Sequence, residues 1–185
     1  MPRLLPIVLL VLLAPAACVL PPDARPNAEP LAVRVVQDRA PANIAVLAIE
    51  VEPTAGLVPV EDLRGFARKA LMDRGFTPLA AGYVDQASAS AVPASSLRLP
   101  EAGVLALRVG RWNDVRAASQ GVLQARVVGV LYDEAGRIVA QVGVDQELRL
   151  SPSEYAATVP ELRRDILVQR LFEALLAPLP APPAL

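Results

Sequence analysis

Histidine is absent from this 185-residue sequence, and cysteine occurs once, at Cys18. Without imidazole there can be no histidine general base, no Ser-His-Asp triad and no histidine metal ligand. A single thiol cannot close a disulfide within the chain, and any metal would have to be held by carboxylates alone. Lysine is nearly absent beside many arginines, which are spread from Arg25 to Arg170 without clustering, and the formal net charge is -1. A footprint that neutralises phosphates is therefore missing, so nucleic acid is not an expected partner. Aromatic residues are few. Trp112 is the only tryptophan, and it reads as a core or sheet-edge residue, with an interface anchor as the alternative. Beyond the first residues no apolar run approaches the ~20 positions needed to span a bilayer.

What is present begins with a leader. Arg3 supplies a positive start, Leu4 to Leu13 form an apolar stretch broken by Pro6, and small residues Ala14 to Ala17 follow. This is the anatomy of a secretory signal covering residues 1–17. Cys18 stands directly after Ala16 and Ala17, where it resembles the lipobox of bacterial lipoproteins. That resemblance implies a diacylglyceryl group on the thiol and, after cleavage, an acylated amino terminus that carries palmitate or a similar chain. Pro15 occupies the place where that motif usually has an aliphatic residue, so cleavage after Ala14-Pro15-Ala16 is the alternative. Each buried acyl methylene contributes about 0.8 kcal/mol, so two or three chains would anchor the protein essentially permanently. Val19 follows where aspartate favours inner-membrane retention in enterobacterial lipoproteins, and the expected location is the periplasmic face of the outer membrane.

Residues 18–30 are punctuated by Pro21, Pro22, Pro26 and Pro30 and read as a tether. Residues 178–185 form a second proline-rich, uncharged stretch, read as a disordered tail. A single α+β domain is expected between them, over residues 31–177. Leu31 to Val36 and the aliphatic run Ile44 to Val51 have strand length. Leu63, Phe66, Ala67, Ala70 and Leu71 recur at helical spacing, with Glu61 and Asp62 in the first turn and Gly75 at the end. Phe76 to Leu79 suggests a short strand and Gly82 to Ser88 a weak helix. Val104 to Trp112, Val122 to Tyr132 and Arg137 to Leu150 then predict an antiparallel meander, its last pair turning through Asp133-Glu134-Ala135-Gly136. Ser151-Pro152-Ser153-Glu154 and Thr158-Val159-Pro160-Glu161 each resemble a capping box. The second should open a helix that docks through Leu162, Ile166, Leu167, Leu171 and Leu175. The expected architecture is a mixed sheet ending in this three-strand meander and packed on one face by two to three helices.

The order of the leader, the strand Ile44 to Val51, the helix ending Met72-Asp73-Arg74-Gly75-Phe76, Tyr83-Val84-Asp85 and the hairpin Leu131-Tyr132-Asp133-Glu134-Ala135-Gly136-Arg137 is familiar. Over roughly Asn43 to Leu150 it resembles bacterial lipoproteins related to the curli-secretion lipoprotein and to the amino-terminal domain of the translocation protein TolB. A second resemblance is to auxiliary lipoproteins of ABC-type transporters. Both imply a periplasmic accessory or assembly component with no catalysis and no cofactor. The first resemblance implies an envelope partner or self-association. The second implies a carrier for a lipid or small apolar ligand. Cys18 is the only functional residue either carries over.

No catalytic or metal site is expected from the residues themselves. Glu50 and Glu52 share one side of a strand end but read as solvated, with acid-base pairing or cation binding as the alternative. The loop Pro53 to Pro59 lacks the Gly-Lys-Ser/Thr ending of a phosphate loop. The candidate partner surface is the outer face of the hairpin. A register with Tyr132 beside Arg137 puts Val130 beside Val139 and Val128 beside Gln141, an apolar strip of Val128, Val130, Tyr132 and Val139 rimmed by Arg126, Arg137, Gln141 and Asp145. The alternative is that the chain's own loop or amino-terminal segment covers this strip.

Overall fold

A computed structural model describes residues 30–89 and 93–183, with side chains from Val33 onward. Cys18 and the leader lie outside the described residues, as do the last two positions of the tail. The described chain forms seven strands and five helices. The strands are β1 (Pro30–Val35), β2 (Asn43–Val46), β3 (Glu50–Val51), β4 (Thr77–Pro78), β5 (Ala102–Asn113), β6 (Val122–Tyr132) and β7 (Ile138–Arg149). They make one open mixed sheet in the order β1-β7-β6-β5-β2-β4, with β3 continuing beside β5 past the end of β2. β2, β3 and β4 run parallel to their neighbours, whereas β5, β6, β7 and β1 pair antiparallel. The fold is α+β with the expected meander at its centre. The aliphatic run from Ile44 is split, because the pairing of β2 with β5 lapses between Val46 and Glu50.

Helices α1 (Val60–Asp73), α3 (Ala117–Gln120) and α5 (Pro160–Leu176) lie on one face of the sheet; α4 (Pro152–Ala157) leads into α5. Their apolar sides meet Ile44, Leu105, Leu107, Leu123, Val127, Leu131 and Val144 in a continuous core. Each such side chain contributes about 1.5–3 kcal/mol on burial. The second face has a smaller cluster, in which Val84 of α2 (Ala81–Ser88) and Leu97 and Leu99 cover Ala45, Ala102 and Val104. Among the described residues this cover lies over β2 and the start of β5, and reaches the hairpin end of β6 at Tyr132. β5 records this division: Ala102 to Leu105 are buried on both faces, whereas from Leu107 onward burial alternates.

α1 ends as its sequence predicts. Gly75 has φ of +86° and donates to Met72 O, while Phe76 donates to Leu71 O. This is a Schellman motif, and its apolar contact joins Leu71 and Phe76, both buried. The helix is rotated from the stripe read in the sequence, however, so that Arg64 is buried with Leu63, Ala67, Ala70 and Leu71. Phe66 is only half-buried and lines an open cleft of about 360 Å³ with Asp62, Gly65, Lys69, Arg164 and Asp165. Phe66→Ala should therefore cost about 1–2 kcal/mol in chemical unfolding, below the ~3–5 kcal/mol of a fully buried ring.

α4 carries the capping box expected at Ser151: the Glu154 N–H donates to Ser151 Oγ and the Ser151 N–H to Glu154 Oε2. The Arg170 guanidinium and the Ser151 backbone donor hold the Glu154 carboxyl down at about 2. The second expected box does not form. Val159 caps α5 without a side-chain bond, and the buried stripe is Leu167, Val168, Leu171, Phe172, Leu175 and Leu176, leaving Leu162 outside. The proline-rich stretch after α5 also departs from expectation. Leu179 is buried in the core and its carbonyl accepts from Arg74 Nη2 at 2.7 Å.

Candidate interaction surface

The β6–β7 hairpin is set by Asp133. Its side chain accepts from the backbone N–H groups of Ala135 and Arg137 at 2.9 and 2.8 Å, and from Arg137 Nε and Gln37 Nε2. Burial opposes the charge of Asp133, but the Arg137 backbone donor, then the Arg137 and Gln37 side chains, outweigh it and hold the carboxyl below its usual range. The Asp133 N–H also donates to Arg137 O, so the loop has three residues and Gly136 takes its left-handed position, φ +76°. A side chain at Gly136 would meet Ser95 O at 2.2 Å, so only glycine lets segment 93–98 close over the hairpin.

This three-residue loop corrects the register read from sequence. Tyr132 pairs with Ile138 rather than Arg137, and a further irregularity follows, so that Leu131 pairs with Ala140 and Val130 with Gln141. The net shift of two places preserves which face the later residues occupy, since strand side chains alternate with period two. It does not preserve Val139. Val139 sits at the irregularity and is buried in the main core, beside Ala140. Tyr132 is also taken up by the fold, packing against the smaller cluster around Leu97 and Val104.

Val128 and Val130 remain, half-buried and part of neither cluster. Val130 lies between Ala106 of β5 and Gln141 of β7; Val128 lies between Arg108 and Gly143. The resulting strip is narrow, with small neighbours at its centre and ion pairs along its borders. Glu50 accepts from Arg108 Nη2 at 2.9 Å, and Arg111 pairs with Asp145. Glu147 accepts from Gln124 Nε2 at 2.6 Å and pairs with Arg149 and Arg116. The Gln124 donor chiefly, with these arginines, lowers the Glu147 carboxyl below its usual range against the opposing effect of burial.

Glu50 is thus committed to Arg108. Glu52 lies apart, its carboxylate 3.2 Å from where a Gly110 side chain would begin. Among the described residues no three Asp, Glu, Cys or His side chains group where a metal could be held. Trp112 is buried on the helix-covered face, and its indole N–H has no partner among the described residues.

No family model and no curated protein matches the chain. Among solved structures, the PelC dodecamer from Paraburkholderia phytofirmans is similar with a TM-score of 0.48 and 16% identity, over 81% of this chain and 98% of that one. Lipoprotein GNA1162 from Neisseria meningitidis gives 0.45 and 17%, over 61% and 84% respectively. The protein CT253 from Chlamydia trachomatis gives 0.45 and 18%, over 75% and 95%. At these scores the likeness assigns neither a family nor a function.

Proposed function

We propose that the protein is a lipoprotein anchored through acylated Cys18 to the periplasmic face of the outer membrane, where it serves without catalysis as an assembly or accessory component of an envelope complex. The observation that carries the second half is the sheet face opposite the main core, where Val128 and Val130 stand half-buried, outside both clusters of the described residues and between bordering ion pairs. Interfaces typically have this arrangement, an apolar centre inside a polar rim. The first half is supported by the leader and the lone cysteine after it; no helix of the described residues is long and apolar enough to cross a membrane. A lipid carrier would want an apolar cavity between sheet and helices. That space is filled by Phe172, Leu105, Leu107 and their neighbours, and the cleft beside Phe66 is walled by charge.

Two measurements test the two halves. Labelled palmitate should enter the wild-type protein in a bacterial host and be lost in Cys18→Ala; equal labelling would remove the anchor. A photo-reactive side chain at position 128 should give a discrete adduct in intact cells, either with an envelope protein or with a second copy. Failure there, with adducts forming from exposed helix positions such as Glu173, would remove the docking role.

A further inference from the structure

Four of the most exposed apolar side chains gather at one pole of the molecule. Leu57 is 94% exposed and Val115 is 84% exposed; Val159 and Leu162 are each 54% exposed. Four bonds bring their segments together. The Trp112 backbone N–H donates to Ala55 O, which holds the loop bearing Leu57 beside the end of β5. Val115 follows directly, its N–H donating to Asn113 Oδ1. Arg164, near the start of α5, then reaches Asp114 at 3.0 Å and Asp62 of α1 at 3.4 Å. Val159 and Leu162 are thereby carried to the same end. Of the other exposed apolar side chains, Met72 and Tyr83 lie on α1 and α2, and Val33, Val35 and Val36 lie along and just after the edge strand β1.

The strand through which the chain enters the sheet points the same way. β1 begins at Pro30 opposite Val144 and runs toward Ala140, away from the pole where β5 ends and β6 begins. Its amino-terminal end therefore faces the pole that carries Leu57 and Val115. From Val144 to the end of β7 is roughly 17 Å at strand rise. The proline-rich stretch between Cys18 and Pro30 can span about 35 Å, so an anchor at Cys18 allows this pole to reach the bilayer.

We propose that this pole rests on the membrane, with Leu57 and Val115 entering the headgroup region and Val159 and Leu162 beside them. The proposal rests on the anchored reading of Cys18. Four aliphatic side chains alone would bind a bilayer weakly, but a tether makes the contact intramolecular and raises its effective concentration. Glu61 and Glu161, at the starts of α1 and α5, are offset at this pole by Arg116 beside Val115 and Arg149 at the end of β7, and Asp62 is paired with Arg164, so the contact calls for a zwitterionic surface rather than a strongly charged one. The open sheet strip is then left facing sideways, free for a protein partner.

The full acylated protein tests this, because an acylated Cys18 leaves no other thiol to react. Leu57→Cys, Val115→Cys and, in the hairpin loop at the other pole, Glu134→Cys would each carry an environment-sensitive fluorophore. In phosphatidylethanolamine–phosphatidylcholine vesicles, labels at 57 and 115 should shift to the blue, brighten several-fold and be quenched by nitroxide lipids, while 134 stays in water. Acylated protein whose labels at 57 and 115 behave like 134 overturns the orientation and leaves the anchor standing. Labels already shielded before vesicles are added would assign the pole to a second copy and overturn it too. A Cys18 peptide of unmodified mass overturns the anchor and the orientation with it.

Discussion

Arg64→Met should destabilise the protein by about 2–4 kcal/mol, among the largest losses available from a charged residue in this fold. The side chain of Arg64 is 3% exposed. Its Nε and Nη2 both donate to Val46 O, at 3.0 and 2.8 Å, and Nη1 pairs with Asp85 of α2 at 2.7 Å. One guanidinium thus ties α1 on one face, the end of β2, and α2 on the other. Methionine keeps the apolar stem but removes every donor, and leaving a buried carbonyl without its partner costs about 1–3 kcal/mol before the lost charge-assisted bonds are counted. Asp85 is half exposed, so Asp85→Asn should cost ~1 kcal/mol or less. Urea unfolding of the two variants separates the contributions. A loss below ~1 kcal/mol for Arg64→Met would mean that water replaces the guanidinium and that α2 is held by Val84 and Leu97 instead.

Arg64 also shows where reading the sequence stops. The helical period placed α1 and its ends correctly, because Leu63, Ala67, Ala70 and Leu71 do face inward and Gly75 does close the helix. Periodicity weighs residues by polarity, so it favoured Phe66 and gave an arginine no inward role. The carbonyl and carboxylate that accept from Arg64 lie on β2 and α2, and nothing local to α1 announces them. α5 departs in the same direction: spacing assigns Leu162 to the core, but the helix turns Val168 and Phe172 inward and leaves Leu162 at the exposed pole.

The strands were more legible, since alternation survives a mistake in register. β6 buries Leu123, Ala125, Val127 and Leu131 on the helix side, as their spacing required, although the pairing with β7 lies two places from the register first read. Half of that difference came from one side chain, and the irregularity at Val139 added the other place. Asp133 binds two backbone donors across the loop and shortens it to three residues, a choice that the four-residue turn Asp133-Glu134-Ala135-Gly136 did not reveal. Of the strip read as a partner surface, Val128 and Val130 therefore stay outside, Tyr132 joins the smaller cluster, and Val139 passes to the core.

That division can be measured with two variants that a simple hairpin reading would treat as equivalent. Val139→Asp should cost several kcal/mol, because it places a carboxylate among the apolar side chains of the main core. Its loss should show as a large fall in the denaturation midpoint, or as failure to accumulate. Val130→Asp places the same charge on the open face, between Ala106 and Gln141, where water can solvate it. There the cost should be about 1 kcal/mol, the reduced tendency of aspartate to sit in a strand. The folded Val130→Asp protein should nevertheless lose its cross-linked adduct at position 128, since a charge at the centre of an apolar contact must be desolvated without a partner. Circular dichroism and unfolding establish the first comparison, and cross-linking in intact cells the second. A Val130→Asp protein that loses several kcal/mol would show the strip to be covered by the chain itself. One that folds and still cross-links as wild type would move the partner to another surface.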